Sequence, residues 1–288
     1  MLMLILALVS NQLLEAPLFN SIIHGLKLLA VGVVAEATFG MYKNCCQSKI
    51  ATALCVITAI VLLLIPGIWP QVLVLLFVAM VGSKFLTSQE LKTTPSTQKI
   101  SVTPLVIFVA LLVGLPLFSA FSQGIEVFGL FYQAGSLVFG GGHVVLPVLT
   151  ESLADYLPAS TLLTGYAAAQ AVPGPMFTLA TYLGAVAGEG TGLIWALVAT
   201  LAIFLPGLLL MLVGQHYWYT LARFQAAQSA LVAINAAVVG LLAATLIFPI
   251  IPAGVHSLWD VVAVVMGFVW LQKAKPPIWQ VLLAFVVY

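Results

Sequence analysis

Apolar stretches close to helical membrane-span length recur from one end of this chain to the other, with short gaps between them. A helix of about twenty such residues crosses the roughly 30 Å hydrocarbon core of a bilayer with its backbone amides bonded internally. Charge is correspondingly scarce: 6% of the 288 residues are Asp, Glu, Lys or Arg, where soluble chains carry about 25%. The sequence therefore predicts an all-α polytopic membrane protein with the lipid bilayer as its surroundings. A net charge of +1 offers no purchase to a nucleic acid. Cys45, Cys46 and Cys55 have no histidine at ligand spacing and make no disulfide framework, so neither a metal nor a cofactor is expected.

Complete spans are expected over 22–42, 50–64, 68–86, 102–121, 192–213, 229–248, 258–272 and 278–288, with a partial one over 1–9. Residues 10–20, around Pro17, and 215–228, around Arg223, read as connections. The polar run 87–101 belongs in water. Two further apolar segments, 127–153 and 162–188, bring the total to about ten, and both are interrupted.

The interruptions are Phe139-Gly140-Gly141-Gly142-His143 and Val172-Pro173-Gly174-Pro175. Neither can continue a helix: glycines lose the most backbone entropy on ordering, and each proline removes an amide donor. Broken helices at membrane depth are tolerated where they are buried in protein or line a polar cavity, and paired breaks point to a transporter's substrate site. A resumed helix presents unpaired N–H groups and the positive end of its dipole, which suits an anion. Residues 121–215 contain no Lys or Arg, so main-chain amides and His143 must supply any positive potential. That suits a tetrahedral oxyanion, with its charge spread over several oxygens. Gly140, Gly141, Gly142, His143, Pro173, Gly174 and Pro175 are thus the candidate binding residues, joined by Gln170 and Thr178, each one turn from the second break. Close helix packing is the competing account of such glycines and prolines.

Glu36 stands past the centre of an apolar span, where a carboxylate is costly and usually functional; it is the candidate proton-coupling group. Glu126, Glu151, Asp155, Glu189 and Asp260 read as charges at the membrane interface, with Glu151 and Asp155 at its inner side. His24, His216 and His256 fall near span ends, with no assigned role. No nucleophile elbow, His-Glu-x-x-His or phosphate loop is present, so catalysis is not expected.

A repeat runs through the chain. Residues 25–35 lie over 233–243 at a shift of 208, Leu2-Met3-Leu4 falls on Leu210-Met211-Leu212, and Ile68-Trp69 on Ile278-Trp279 after a two-residue slip. Lysines mark opposite loops in the two halves: Lys43 and Lys49 after the first full span of one, Lys273 and Lys275 one loop later in the other. Positive residues gather on the cytoplasmic side, so the halves are expected to be inverted relative to each other. The division is 1–86 as the later part of a first repeat, 87–122 as a polar loop and linking span, and 123–288 as a complete second repeat. On that division the counterpart of residues 119–208 is absent from the first repeat.

Phe139-Gly-Gly-Gly-His-Val-Val-Leu-Pro147, Gly165-Tyr-Ala-Ala-Ala-Gln-Ala-Val-Pro-Gly-Pro175 and Phe177-Thr-Leu-Ala-Thr-Tyr-Leu-Gly184 closely resemble the chromate ion transporter family. The resemblance covers essentially the whole chain. It implies an inner-membrane carrier, built from two inverted halves, that exports chromate chemiosmotically. Sulfate, an analogue of chromate moving inward, is the alternative cargo; a non-transporting remnant or a membrane enzyme is the alternative of another class. Expected partners are the oxyanion, protons, the bilayer, and either a second copy or a complementing first half.

Overall fold

The computed structural model describes residues 2–13, 17–86, 102–138, 144–172, 174–188, 192–221, 224–274 and 276–287. Among them there is no strand, and the helices follow the apolar runs. The first half comprises α1 (Leu2–Leu13), α2 (Pro17–Cys45), α3 (Lys49–Leu64) and α4 (Ile68–Phe85), followed by α5 (Thr103–Phe118). Then come α6 (Gln123–Leu137), α7 (Val145–Ser152), α8 (Ala159–Ala171), α9 (Leu179–Ala187) and α10 (Gly192–Leu221). The chain closes with α11 (Gln225–Thr245), α12 (Ile251–Gly254), α13 (Leu258–Ala274) and α14 (Ile278–Val287). Among the described residues, four stretches have the length and apolar character to cross a membrane on their own: 24–45, 103–121, 192–214 and 225–254. The protein is an all-α polytopic membrane protein.

Two expected connections are helical over their described parts, residues 10–13 and 17–20 of the first and 215–221 and 225–228 of the second. Pro17 opens α2, where its missing amide costs nothing because a first-turn amide has no intrahelical partner. Likewise α10 runs on through the aromatic stretch to Leu221, and α11 begins at Gln225. Polarity ends the lipid-compatible stretch without ending the helix.

Helix boundaries follow the repeat. α1 and α10 end 208 residues apart, and α2 and α11 begin 208 apart. The starts of α3 and α13 differ by 209, and those of α4 and α14 by 210. Packing exchanges between the related sets: α11 lies against α3 and α4, α2 lies against α13 and α14, and α2 and α11 touch each other. The close fit of α11 on α3 depends on Gly240, where a Cβ would be driven onto the Cys55 carbonyl and come within 3.0 Å of Thr58.

One end of the bundle carries Lys43, Lys49, Lys84 and Lys273, at the last turn of α2, the start of α3 and the last turns of α4 and α13. The far end carries the Pro66–Gly67 turn, where Gly67 adopts φ 137°, a region open to glycine and strained for other residues.

The two broken segments are not interrupted crossings. The Tyr156 hydroxyl, beyond α7, donates to Glu126 in the first turn of α6, so α6 and α7 enter from the far end and return to it. In the second, Gly165 of α8 packs against Leu179 and Tyr182 of α9, which requires the chain to reverse between 171 and 179. Each pair is a re-entrant hairpin. Glu151 consequently stands beside Gly67, with Oε1 3.8 Å from where that glycine's Cβ would be, at the far end and not with the lysines as expected. Asp155, next to Tyr156, follows it there. Packing compels the reversal: α9 folds onto α8 on one side and onto α10 on the other, where Gly184 and Gly188 admit Trp195.

Candidate functional site

The second break has the conformation its residues dictate. Val172 is extended (φ −87°, ψ 127°), the preference of any residue before proline. Pro175 is also extended (φ −68°, ψ 142°), and the single 3-10 turn Met176–Thr178 leads into α9. Neither Pro175, Thr178 nor Val144, which precedes α7, supplies a side-chain cap to the resumed helices. Gly174 and Pro175 are exposed, and the closest described atom to a Cβ on Gly174 is a Thr178 methyl at 3.8 Å. By contrast Gly135 of α6 presses on the Ile203 backbone and Pro206 of α10. Gly135 serves packing; Gly174 in the break has no such neighbour.

Gly140, Gly141, Gly142, His143 and Pro173 lie outside the described residues. What is described is the frame around them: α6 ends at Leu137, Val138 is extended, and α7 begins at Val145. α8 packs against both α7 and α9, so the two resumed helices are set on either side of it rather than against each other. Given about 1.5 Å rise per residue, the 13 residues of α8 carry the second break roughly 20 Å from its starting end, past the middle of a hydrocarbon core of about 30 Å.

The polar residues near this break are already engaged. Thr178 Oγ1 donates to the Pro175 carbonyl at 2.9 Å, so its hydrogen is held within its own turn instead of being offered outward. Gln170 Nε2 donates to the hydroxyl of Tyr166 at 3.1 Å. Tyr166 is fully buried on α8, which packs against α2, the helix that carries Glu36. Glu36, on α2, accepts a long bond of 3.4 Å from Gln272 Nε2 on α13. Two hydrogen-bonded pairs result: Gln272–Glu36 between α13 and α2 near the lysine-bearing end, and Gln170–Tyr166 within α8 in the last turn before Pro-Gly-Pro. The sequence singled out Glu36 and Gln170; Tyr166 and Gln272 carried no motif, and only packing of α2 against α8 and α13 joins them.

A second polar cluster also went unread. Asp260, 3% exposed, accepts from the main-chain amides of His256 (2.8 Å) and Ser257 (2.9 Å), and its Oδ1 lies 3.0 Å from His24 Nε2. The His24 and His256 rings stack at 5.9 Å. Read singly, these were interface charges without a role; α2 and α13 bring them together at the far end around the buried Asp260, with His24 half-buried and His256 exposed. The thiols offer no reactive group in the α2–α3 loop: burial and the neighbouring Cys55 push Cys46 up to about 12, so it stays protonated.

Comparison with known proteins adds the following. The family described as chromate transporter matches residues 1–83 and 125–288. A protein of Methanocaldococcus jannaschii, named an uncharacterized transporter, is 24% identical over 295 residues, covering all of this chain and 72% of the relative. The chromate transport protein of Pseudomonas aeruginosa is 29% identical over 123 residues, 42% of this chain and 29% of the relative. No solved structure matches.

Proposed function

The chain belongs to the chromate transporter family, and from that premise we propose that it carries a tetrahedral oxyanion, chromate in preference, outward across the cell inner membrane. The observation that carries this reading is the pair of re-entrant hairpins. Both break at depth, both resume in helices without side-chain caps, and the chain between 121 and 215 holds no Lys or Arg. Main-chain N–H groups at Gly140, Gly141, Gly142 and Gly174, with His143, form the cradle. Gln170 and Thr178 complete it after the Thr178 hydroxyl turns away from Pro175. Pro173 and Pro175 keep the helix open so that those amides stay unpaired.

The lysine-bearing end is cytoplasmic on this reading. The far end, with Gly67 and Glu151, then faces outward. The two sets of repeat-related helices are the inverted halves between which alternating access occurs. Glu36 exchanges the coupling proton, and Tyr166 and Gln170 relay its state to the break.

The test is uptake of labelled chromate and sulfate into inside-out vesicles, with and without a pH gradient. Chromate uptake that needs the gradient supports the proposal. Preference for sulfate, with chromate sensitivity of expressing cells, supports the alternative cargo, and no uptake of either supports a non-transporting remnant. In cells expressing the chain, His143→Ala or Pro173→Ala should abolish chromate resistance at unchanged membrane levels. Full resistance in both would remove those residues from the site.

A further inference from the structure

At the far end, a cavity of about 440 Å³ opens between the two halves. Its wall includes the Pro66–Gly67 turn, Gln71 of α4, Thr150 and Glu151 of α7, and Thr245 at the end of α11. Gln71 is 1% exposed, and neither its Oε1 nor its Nε2 has a hydrogen-bond partner among the described residues. An unpaired buried amide costs on the order of 1–3 kcal/mol, so a ligand or ordered water is expected to complete it. Thr150 donates to the Leu146 carbonyl (2.8 Å) and Thr245 to the Leu241 carbonyl (2.9 Å), which leaves both hydroxyl oxygens as acceptors only.

The chemistry of the wall is therefore one carboxylate and several neutral oxygens, with no Lys, Arg or His among the described lining residues. Glu151 is the one charged lining residue among them; the neighbouring Asp155 and the Tyr156-bonded Glu126 are not part of the wall. No group of three His, Cys, Asp or Glu side chains converges anywhere among the described residues, which disfavours a divalent metal. The repeat supplies an independent pointer. A shift of 208 carries Glu36 onto Ala244, which lines this cavity. The cavity and the Glu36 centre thus occupy related places in the two halves, and each contains one carboxylate and one glutamine.

We propose that this cavity is a monovalent-cation site, with Glu151 as its charged ligand and the Gln71, Thr150 and Thr245 oxygens as neutral ones. It rests on the transport reading only in calling the bound ion the coupling ion at the outward end. The occupant is sodium or a proton, and the experiment separates the two.

The purified full chain is melted in detergent, without oxyanion, while NaCl replaces choline chloride at constant ionic strength, and separately between about pH 5 and pH 8. The melting temperature should rise with sodium in one arm or with proton concentration in the other. Glu151→Gln should abolish that dependence. Gln71→Ala should raise the midpoint concentration roughly fivefold to tenfold, the loss of one hydrogen bond. Glu151→Asp should keep the dependence at a weaker midpoint, which separates loss of the charge from loss of the fold. A wild-type protein indifferent to both ions, or a Glu151→Gln variant as responsive as wild type, would overturn the site. Because no oxyanion is present, failure of the transport reading would leave this result intact.

Discussion

α2 and α11 begin 208 residues apart, yet one carries charged side chains and the other none. α2 runs unbroken for 29 residues and carries Lys27 and Glu36. α11 has Asn235 and Ala244 at those places, and its helix breaks at Phe248, whose φ −150° and ψ 121° lie outside the helical region, before α12 resumes at Ile251. Pro249 occupies the position of Met41 and explains the difference locally, since proline removes the amide that Met41 retains. The lesson is that helix boundaries recur at a near-constant offset while the chemistry carried on the helices does not. Packing of each helix against the opposite region of the chain is common to both, while a carboxylate, the half-buried Glu36, stands on α2 and none on α11.

The sharpest way to break that comparison is at Glu36. If the two hydrogen-bonded pairs are functional, Glu36→Ala should reduce oxyanion flux in proteoliposomes at least tenfold, and Tyr166→Phe severalfold, at unchanged melting temperature. The range follows from loss of a proton-transfer group, about a hundredfold or more, against loss of the one hydrogen bond that Tyr166 accepts from Gln170. Unchanged flux in Glu36→Ala would leave the asymmetry between the helices without functional meaning.

The structural half of the comparison turns on Gly240. A methyl group there would overlap the Cys55 carbonyl and crowd Thr58, both on α3, and the obstacle is backbone, which cannot rotate away. Gly240→Ala should lower stability by about 2–3 kcal/mol, read as a drop in melting temperature or in the denaturant midpoint. A neutral result would mean that α11 and α3 are not held as closely as the related packing requires.

How much of this was legible in the sequence depends on whether a feature is local. The all-α membrane class, both breaks and the 208-residue register follow from residue type and spacing, and the helix starts agree with that register to within two residues. Reversal of the chain at each break does not follow. Glycine and proline specify that a helix stops, but the direction of the next helix is set by which face packs, here Gly165 on Tyr182 and Tyr156 on Glu126. The same limit hid the polar centres. Glu36 and Gln272 are 236 residues apart, as are His24 and Asp260, and α2 against α13 joins both pairs. Neither glutamine nor histidine carried a spacing that predicted it.

The junction that follows each of the two helices gives the finest comparison. Ser48 caps α3, accepting from the Ala51 amide at 3.1 Å. Ser257, at the related place, accepts from the Asp260 amide at the same distance. The caps are alike, but residue N3 differs: Ala51 ends the motif, whereas Asp260 reaches back to two amides and across to His24. Asp260→Ala should therefore cost about 2–3 kcal/mol, several charge-assisted bonds being lost from a buried position. Ser48→Ala should cost about 1 kcal/mol, the ordinary value of an N-cap. Ser257→Ala should fall near Ser48→Ala if the caps act independently. In the double variant Ser257→Ala/Asp260→Ala, a loss well below the sum of the single losses would mean that serine and aspartate act as one unit. An additive result would instead make the His24–Asp260 contact a separate tie between α2 and α13. Melting the four variants together decides between these, because each difference is taken within one helix junction and cancels effects of the detergent.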